Sequence, residues 1–291
     1  MPDGKRLKPQ HAPKAPHEDR QFMASTPSRP IRILAEYIHP LAQLKKEGIG
    51  DTIVMFGSAR IESHETAAAR YTRLKKEKTS KFSVTRLKQH RAALRDAKSA
   101  LEMSRYYEEA RQLSHRITTW ALSLGPRPRR FVICSGGGPG IMEAANRGAY
   151  EAGGKSIGLS IELPHEQFAN PYISPELSMN FHYFFMRKLW FAQTAKALIV
   201  FPGGFGTMDE MWEMMTLSQT GKMNKNTLIL IYGRKYWNDV LNLKAMVRWG
   251  TINREEFGQL SFADTVDEAF KTVRERLEKF GLQVDPVLQA Y

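Results

Sequence analysis

The chain predicts an α/β fold, a Rossmann-like open and mainly parallel sheet with helices on both faces, plus a helical basic insertion. Three strand ends carry that expectation. Ala197-Leu198-Ile199-Val200-Phe201 runs into Pro202-Gly203-Gly204-Phe205-Gly206-Thr207-Met208-Asp209-Glu210 and then into the helical pattern Met211 to Leu217. Phe131-Val132-Ile133-Cys134 runs into Ser135-Gly136-Gly137-Gly138-Pro139-Gly140 and the helix-like Ile141 to Asn146. Ile53-Val54-Met55-Phe56 is followed by Gly57-Ser58-Ala59-Arg60. Unbroken apolar runs of this kind suit strands buried on both faces. A glycine turn leading into a helix aims unpaired N–H groups and the positive end of the helix dipole at an anion, and the missing Cβ lets that anion approach the main chain. In an open parallel sheet, ligands bind beyond the carboxyl ends of the strands, near the point where strand order reverses.

The remaining elements follow in order. Residues 1–30 are polar and Pro-rich without an apolar core, so a disordered arm and no secretory signal are expected. Residues 31–291 are expected to form one domain, starting with a short helix over Ile31 to Lys46 and the strand Ile53 to Phe56. A charged insertion from Ile61 to about Met103 delays the first crossover helix, placed at Arg105 to Leu124 and ended by Gly125-Pro126-Arg127-Pro128. The second strand, Phe131 to Cys134, leads into a helix from Gly140 to Ala152, which Gly153-Gly154 stops. Ser156 to Ile161 is the third strand, and Glu162 to Leu177, with two X-Pro steps, reads as a long loop. Phe181 to Phe185 reads as a fourth strand before a helix over Met186 to Ala195. Behind the strand at Ala197 come a strand over Thr227 to Tyr232, a helix over Tyr236 to Trp249 and a last helix over Asp264 to Phe280, with Asp264 and Thr265 as caps.

At 291 residues the chain can bury a full core. No run of about twenty apolar residues spans a membrane, and a cytoplasmic location is expected. The single cysteine, Cys134, lies in a central strand, so internal disulfides and cysteine-based zinc sites are excluded and a packed core thiol is expected. The net charge of +13 is concentrated: between Arg60 and Arg130 there are 18 Lys/Arg against 7 Asp/Glu. Leu87, Leu94 and Leu101 recur at sevens there, and Ala110, Leu113, Ile117, Trp120 and Leu124 continue an apolar face. A solvated helix face is the preferred reading of these charges over a basic surface for nucleic acid or an acidic partner, and no nucleic-acid motif accompanies them.

Two nucleotide fingerprints can be tested directly. A G-x-G-x-x-G reading from Gly136 needs glycine where Ile141 stands, and one from Gly138 needs it where Glu143 stands. A P-loop needs a Lys-Ser/Thr pair that Thr207-Met208 does not supply. What remains is a phosphate site of mononucleotide size with acidic groups close by.

Pro202 to Glu210 resembles the PGGxGTxxE motif of the LOG family, Gly136 to Glu143 resembles its glycine-rich motif, and Met186-Arg187-Lys188 resembles its Arg-Lys pair. The resemblance runs from about Thr52 to Phe270, without the insertion. It implies a Rossmann-like homo-oligomer, a homodimer or larger, that hydrolyses the N-glycosidic bond of a nucleoside 5′-monophosphate, of the cytokinin riboside or ordinary AMP type. It implies Arg187 and Glu210 as the catalytic pair. It implies Gly203, Gly204, Phe205, Gly206 and Thr207 as the phosphate cradle; Gly137, Gly138 and Gly57 on the other turns are further candidates, and Ser58 and Arg60 read equally well as nucleotide contacts or as a turn residue and a surface arginine. It implies Lys188, Thr216 and Glu166 as further substrate contacts. Members have often been labelled lysine decarboxylases, which would imply pyridoxal phosphate; the sequence offers no reason to expect a Schiff-base lysine, and neither cofactor nor metal is expected.

The residue chemistry agrees with these roles. N-glycoside cleavage passes through an oxocarbenium-like sugar, which a carboxylate near C1′ stabilises. Glu210 suits that task, although a glutamate early in a helix is often only a dipole partner. The permanent charge of Arg187 suits phosphate or the departing base better than proton transfer, so the general acid stays open between water and Glu166. Glu143 reads as a helix-start acid and His182 as a packed or capping histidine. Met211, Trp212, Met214 and Met215 read as core and subunit-contact residues. Two rivals remain: a nucleotide sensor of the same fold, and a nucleic-acid-binding protein using the basic insertion.

Overall fold

The computed structural model describes residues 14–126, 128–163, 169–223 and 226–282. Within the stretch expected as a disordered arm, Arg20–Ala24 forms a short helix (α1), capped by the Asp19 carboxylate accepting from the Gln21 and Phe22 amides. Helix α2, Arg29–Lys46, leads to strand β1, Thr52–Phe56. The insertion is a helical hairpin of α3 (His64–Lys76) and α4 (Val84–Met103), which pack on each other and are each started by a serine cap, Ser63 and Ser83. Ser104 then turns the chain into α5, Arg105–Leu122. Strand β2 is Val132–Ser135, α6 is Ile141–Glu151, β3 is Ser156–Ile161 and β4 is Ser178–Phe181. Helix α7, Phe184–Thr194, leads into β5, Ala195–Val200, and α8, Phe205–Gln219. After β6, Leu228–Tyr232, come α9 (Arg234–Val240), α10 (Leu243–Arg248) and α11 (Arg254–Gly258). Strand β7, Leu260–Ala263, and α12, Val266–Arg276, close the fold.

Among the described residues the strands form one sheet in the order β4-β3-β2-β1-β5-β6-β7, with every pairing parallel. The chain lays β1, steps outward to β4, then returns to the other side of β1 for β5. Strand order therefore reverses between β1 and β5, where this class of sheet opens a crevice. Strict alternation divides the core between the two faces. Ile53, Met55, Ile133, Ile199 and Leu230 pack beneath α5, α6 and α12, whereas Val54, Phe56, Cys134, Val200 and Ile231 pack beneath α2, α7, α8 and α9. Cys134 is a buried core thiol whose pKa burial raises.

Several boundaries differ from the sequence reading. The fourth strand is Ser178–Phe181, not Phe181 to Phe185, and Phe184 and Phe185 belong to the first turn of α7. Aromatic propensity suggested strand there, but Ser178–Phe181 alternates between exposed and buried along the sheet edge. The entry to α7 is fixed from a distance, because the Glu36 carboxylate on α2 accepts from the His182 and Tyr183 amides. The helix expected over Tyr236 to Trp249 is two helices, broken at Asn242, whose side chain caps the second by accepting from the Ala245 amide. β7 escaped the reading because four residues of Leu-Ser-Phe-Ala alternation are too short a signal. Thr265 caps α12 as expected.

The glycine behind the second strand end tests the packing of the turns. Gly140 has φ +71°, and a Cβ there would overlap the Ser58 carbonyl oxygen; Gly153, at φ +76°, has open space around its Cβ position. Gly153→Ala should cost about 1 kcal/mol for the left-handed backbone alone, and Gly140→Ala should cost clearly more, about 3 kcal/mol. Equal midpoints in urea denaturation would show that the turns are not closely packed.

Candidate active site

The three glycine turns meet at the crevice and lock together through the main chain. The Ser58 amide donates to the Pro202 carbonyl at 3.0 Å, and the Ser58 carbonyl accepts from the Ile141 amide at 3.1 Å. One residue behind β1 thus ties the turn after β5 to the turn after β2. The approach requires glycine: a Cβ on Gly57 would lie 2.6 Å from the Ile141 side chain.

The second turn is held by a buried network that the sequence reading did not single out. The Ser135 hydroxyl accepts from the Gly137 amide at 3.0 Å and donates to Asn146 Oδ1 at 2.7 Å. Asn170 Nδ2 faces the Gly137 and Gly138 carbonyls at 3.1 Å each and Asn146 Oδ1 at 2.9 Å. The signal was faint, since an Asn inside a helix and another before a proline both read as ordinary surface residues.

In the third turn, α8 begins at Phe205 with Gly204 as its cap, and the helix's first backbone bond runs from the Met208 amide to the Gly204 carbonyl at 2.9 Å. The amides of the first turn have no intrahelical acceptor. Gly203 lies over Thr207, where any Cβ would overlap the threonine hydroxyl, and its carbonyl accepts from the Tyr236 hydroxyl at 2.9 Å. This early helix start places Glu210 at the sixth residue of α8. It lies beyond the first turn, so a mere dipole partnership does not explain it.

A cavity of about 710 Å³ opens between the turns. Of the residues expected at the site, Gly57, Ser58, Gly137, Gly138, Gly204, Phe205, Gly206, Thr207, Arg187 and Glu210 line it. Phe205 stands 93% exposed at its rim. Phe56, Met142, Ile161, Phe184 and Phe191 make its apolar wall. Gly203 lies just behind the lining. Lys188 turns away, pairing with Asp209 at 2.7 Å and Glu213 at 2.9 Å. Thr216 faces a different cavity of about 240 Å³ on the far side of α8, and its hydroxyl donates to the Trp212 carbonyl. Glu166 lies outside the described residues. Glu143 accepts from the Tyr107 hydroxyl at 2.6 Å. His182 is exposed beside Glu162, at 2.9 Å, not packed. No lysine lines the cavity, so the described residues do not fit a cofactor held as an imine.

Arg187 and Glu210 form an ion pair at 2.8 Å, with side chains only 13% and 6% exposed. Arg187 lies against the Phe184 and Phe191 rings, 5.3 and 5.8 Å from their centroids. Its Nε is buried with no hydrogen-bond partner among the described residues. Burial pushes the Glu210 carboxyl pKa above its ordinary 4.5, and the charges of Arg187 and Lys188 offset only part of that rise. Carbon-detected NMR of the side-chain carboxyls should therefore find Glu210 titrating above 4.5, and higher still in Arg187→Met. A titration at or below the ordinary value, or a fall in that variant, would contradict the assigned electrostatics.

A family model described as "Possible lysine decarboxylase" matches residues 142–273, a segment that contains Arg187, the third glycine turn and Glu210. The "Probable cytokinin riboside 5′-monophosphate phosphoribohydrolase LOG4" of Oryza sativa subsp. japonica is 30% identical over 115 residues, covering 38% of this chain. The chain spans about half the length of that curated relative, 48%. Among solved structures, the Moco carrier protein from Chlamydomonas reinhardtii is similar at 21% identity and a TM-score of 0.42, over 60% of this chain and 90% of its own. A Northeast Structural Genomics Consortium target is similar at 19% identity and a TM-score of 0.42, over 77% of this chain and 99% of its own. The motifs at Gly136 and Pro202 are seated on one cavity, and the similarity to the family model and to the rice relative supports membership of the LOG family.

Proposed function

We propose that this chain hydrolyses the N-glycosidic bond of a nucleoside 5′-monophosphate, releasing the free base and ribose 5-phosphate. The observation that carries the reading is the buried Arg187–Glu210 pair in the same cavity as the first turn of α8, whose amides have no intrahelical acceptor. A site that only binds phosphate has no need of a buried carboxylate beside it. The family resemblance and the name of the rice relative point to the same reaction class.

The amides at the start of α8, with the helix dipole behind them, hold the 5′-phosphate. With the phosphate anchored there, the ribose reaches toward Glu210, whose carboxylate stabilises positive charge growing on the sugar and orients the attacking water. Arg187 keeps Glu210 ionised within a partly apolar cavity, and its Nε supplies one further donor. The apolar wall of Met142, Phe184 and Phe191 accepts a planar base. AMP and a prenylated adenosine monophosphate both satisfy these demands. A homodimer or larger assembly, and no metal or organic cofactor, complete the proposal.

Purified protein incubated with AMP, GMP, CMP, UMP or isopentenyladenosine monophosphate should release free base from at least one of them and none from adenosine, as followed by chromatography. Release from adenosine at the same rate would remove the phosphate cradle from the reaction. Glu210→Gln should retain nucleotide binding and lose about 10²- to 10³-fold in kcat. Full turnover in that variant would take Glu210 out of the mechanism. Because its pKa is raised, kcat/KM should fall with decreasing pH on a limb that lies above 4.5.

A further inference from the structure

The cavity leaves the main charge feature of the chain unused. From Arg73 to Arg95 there are nine Lys/Arg and a single acid, Glu77. These 23 residues hold eight of the thirteen net positive charges, and they form the end of the α3–α4 hairpin. All nine cationic residues are exposed. The one acid is already engaged, by Arg86 at 3.6 Å and His90 at 3.3 Å.

The charges are also ordered. On α4, Lys88, Arg91 and Arg95 recur at three and four residues and share one face. The opposite face carries buried Ala97 and half-buried Leu94 and Leu101, and the helix packs chiefly on α3 and, less, on α5. Lys75, Lys76, Lys78 and Lys81 extend the charge around the turn of the hairpin. A helix of 20 residues is about 30 Å long, so the charged edge is comparable to a turn of duplex.

We propose that this hairpin binds the phosphodiester backbone of a duplex nucleic acid without reading its sequence. The surface lacks what other partners require. A protein interface needs an apolar core, and an interfacial membrane helix needs an apolar face to insert. Here Val84, 88% exposed, stands alone, and the Phe82 ring is covered by the Arg86 guanidinium at 4.1 Å. A dense, exposed cation surface with little apolar area matches a partner bound through charge and counterion release. Of the two partners that the sequence left open for a basic surface, nucleic acid and an acidic partner, the structure thus favours the first.

The test is fluorescence anisotropy of the full chain with labelled 24-base-pair duplex DNA and, separately, duplex RNA of the same sequence. Neutralising about five phosphates gives a log–log salt slope near −4.5, so affinity should fall about 500-fold between 50 and 200 mM NaCl. Binding should not depend on sequence. Lys81→Glu/Lys88→Glu/Arg95→Glu should abolish it while leaving base release unchanged, and Lys75→Glu/Lys76→Glu/Lys78→Glu should weaken it independently. DNA and RNA arms of equal strength, or either one alone, support the proposal and name the duplex. No binding at 50 mM salt, or unchanged binding in both triple variants, overturns it. So does displacement of duplex by poly-glutamate at equal charge concentration, or binding only to phosphatidylserine vesicles, since these assign the surface to an acidic protein or a membrane.

Discussion

The site depends on one close backbone approach. Ser58 sits where the turns after β1, β2 and β5 converge, donating to Pro202 and accepting from Ile141. Three strands that are distant in sequence therefore end in one structure, and the distance between the first-turn amides of α8 and the second glycine turn is set by main-chain bonds, not by side chains. Glycine at 57 and 140 is the condition for that approach, because a Cβ at either would collide with the neighbouring turn. The reversal of strand order between β1 and β5 supplies the crevice, and the locked turns give it a fixed shape.

Onto that frame the fold adds a buried ion pair. Arg187 comes from the first turn of α7 and Glu210 from the second turn of α8, helices that flank β5 in sequence and lie on the same face of the sheet. Burying both charges costs several kcal/mol per ion, and their mutual attraction offsets this only while both are present. A pair of that kind is a poor device for stability. Its position, beside amides suited to a phosphate, is what gives it chemical meaning. The raised pKa of Glu210 follows from the same burial.

Much of this was legible in the sequence because the informative features are local. Apolar strands followed by glycine turns announce their own geometry, and Ser156 to Ile161 was located to the residue. Gly204, Thr207 and Glu210, whose positions depend only on a turn or helix start, line one cavity. Residues whose role is set by distant partners were not legible. Asn146 and Asn170 hold the second turn across 24 positions of chain. Glu36 fixes the entry to α7 from a helix almost 150 residues earlier. Lys188, adjacent to Arg187 in sequence, does not line the cavity because Asp209 and Glu213 on α8 hold it. The hairpin α3–α4 was recognisable as helical and basic, but whether acids neutralise its surface could be judged only once the ion pairs were visible.

The most direct measurement is a crystal structure of Glu210→Gln soaked with AMP. The account requires the 5′-phosphate on the amides of Gly204 to Thr207, the ribose C1′ facing residue 210, and the base against Met142, Phe184 and Phe191. A phosphate bound elsewhere, or a nucleotide turned so that its base fills the glycine turns, would contradict it.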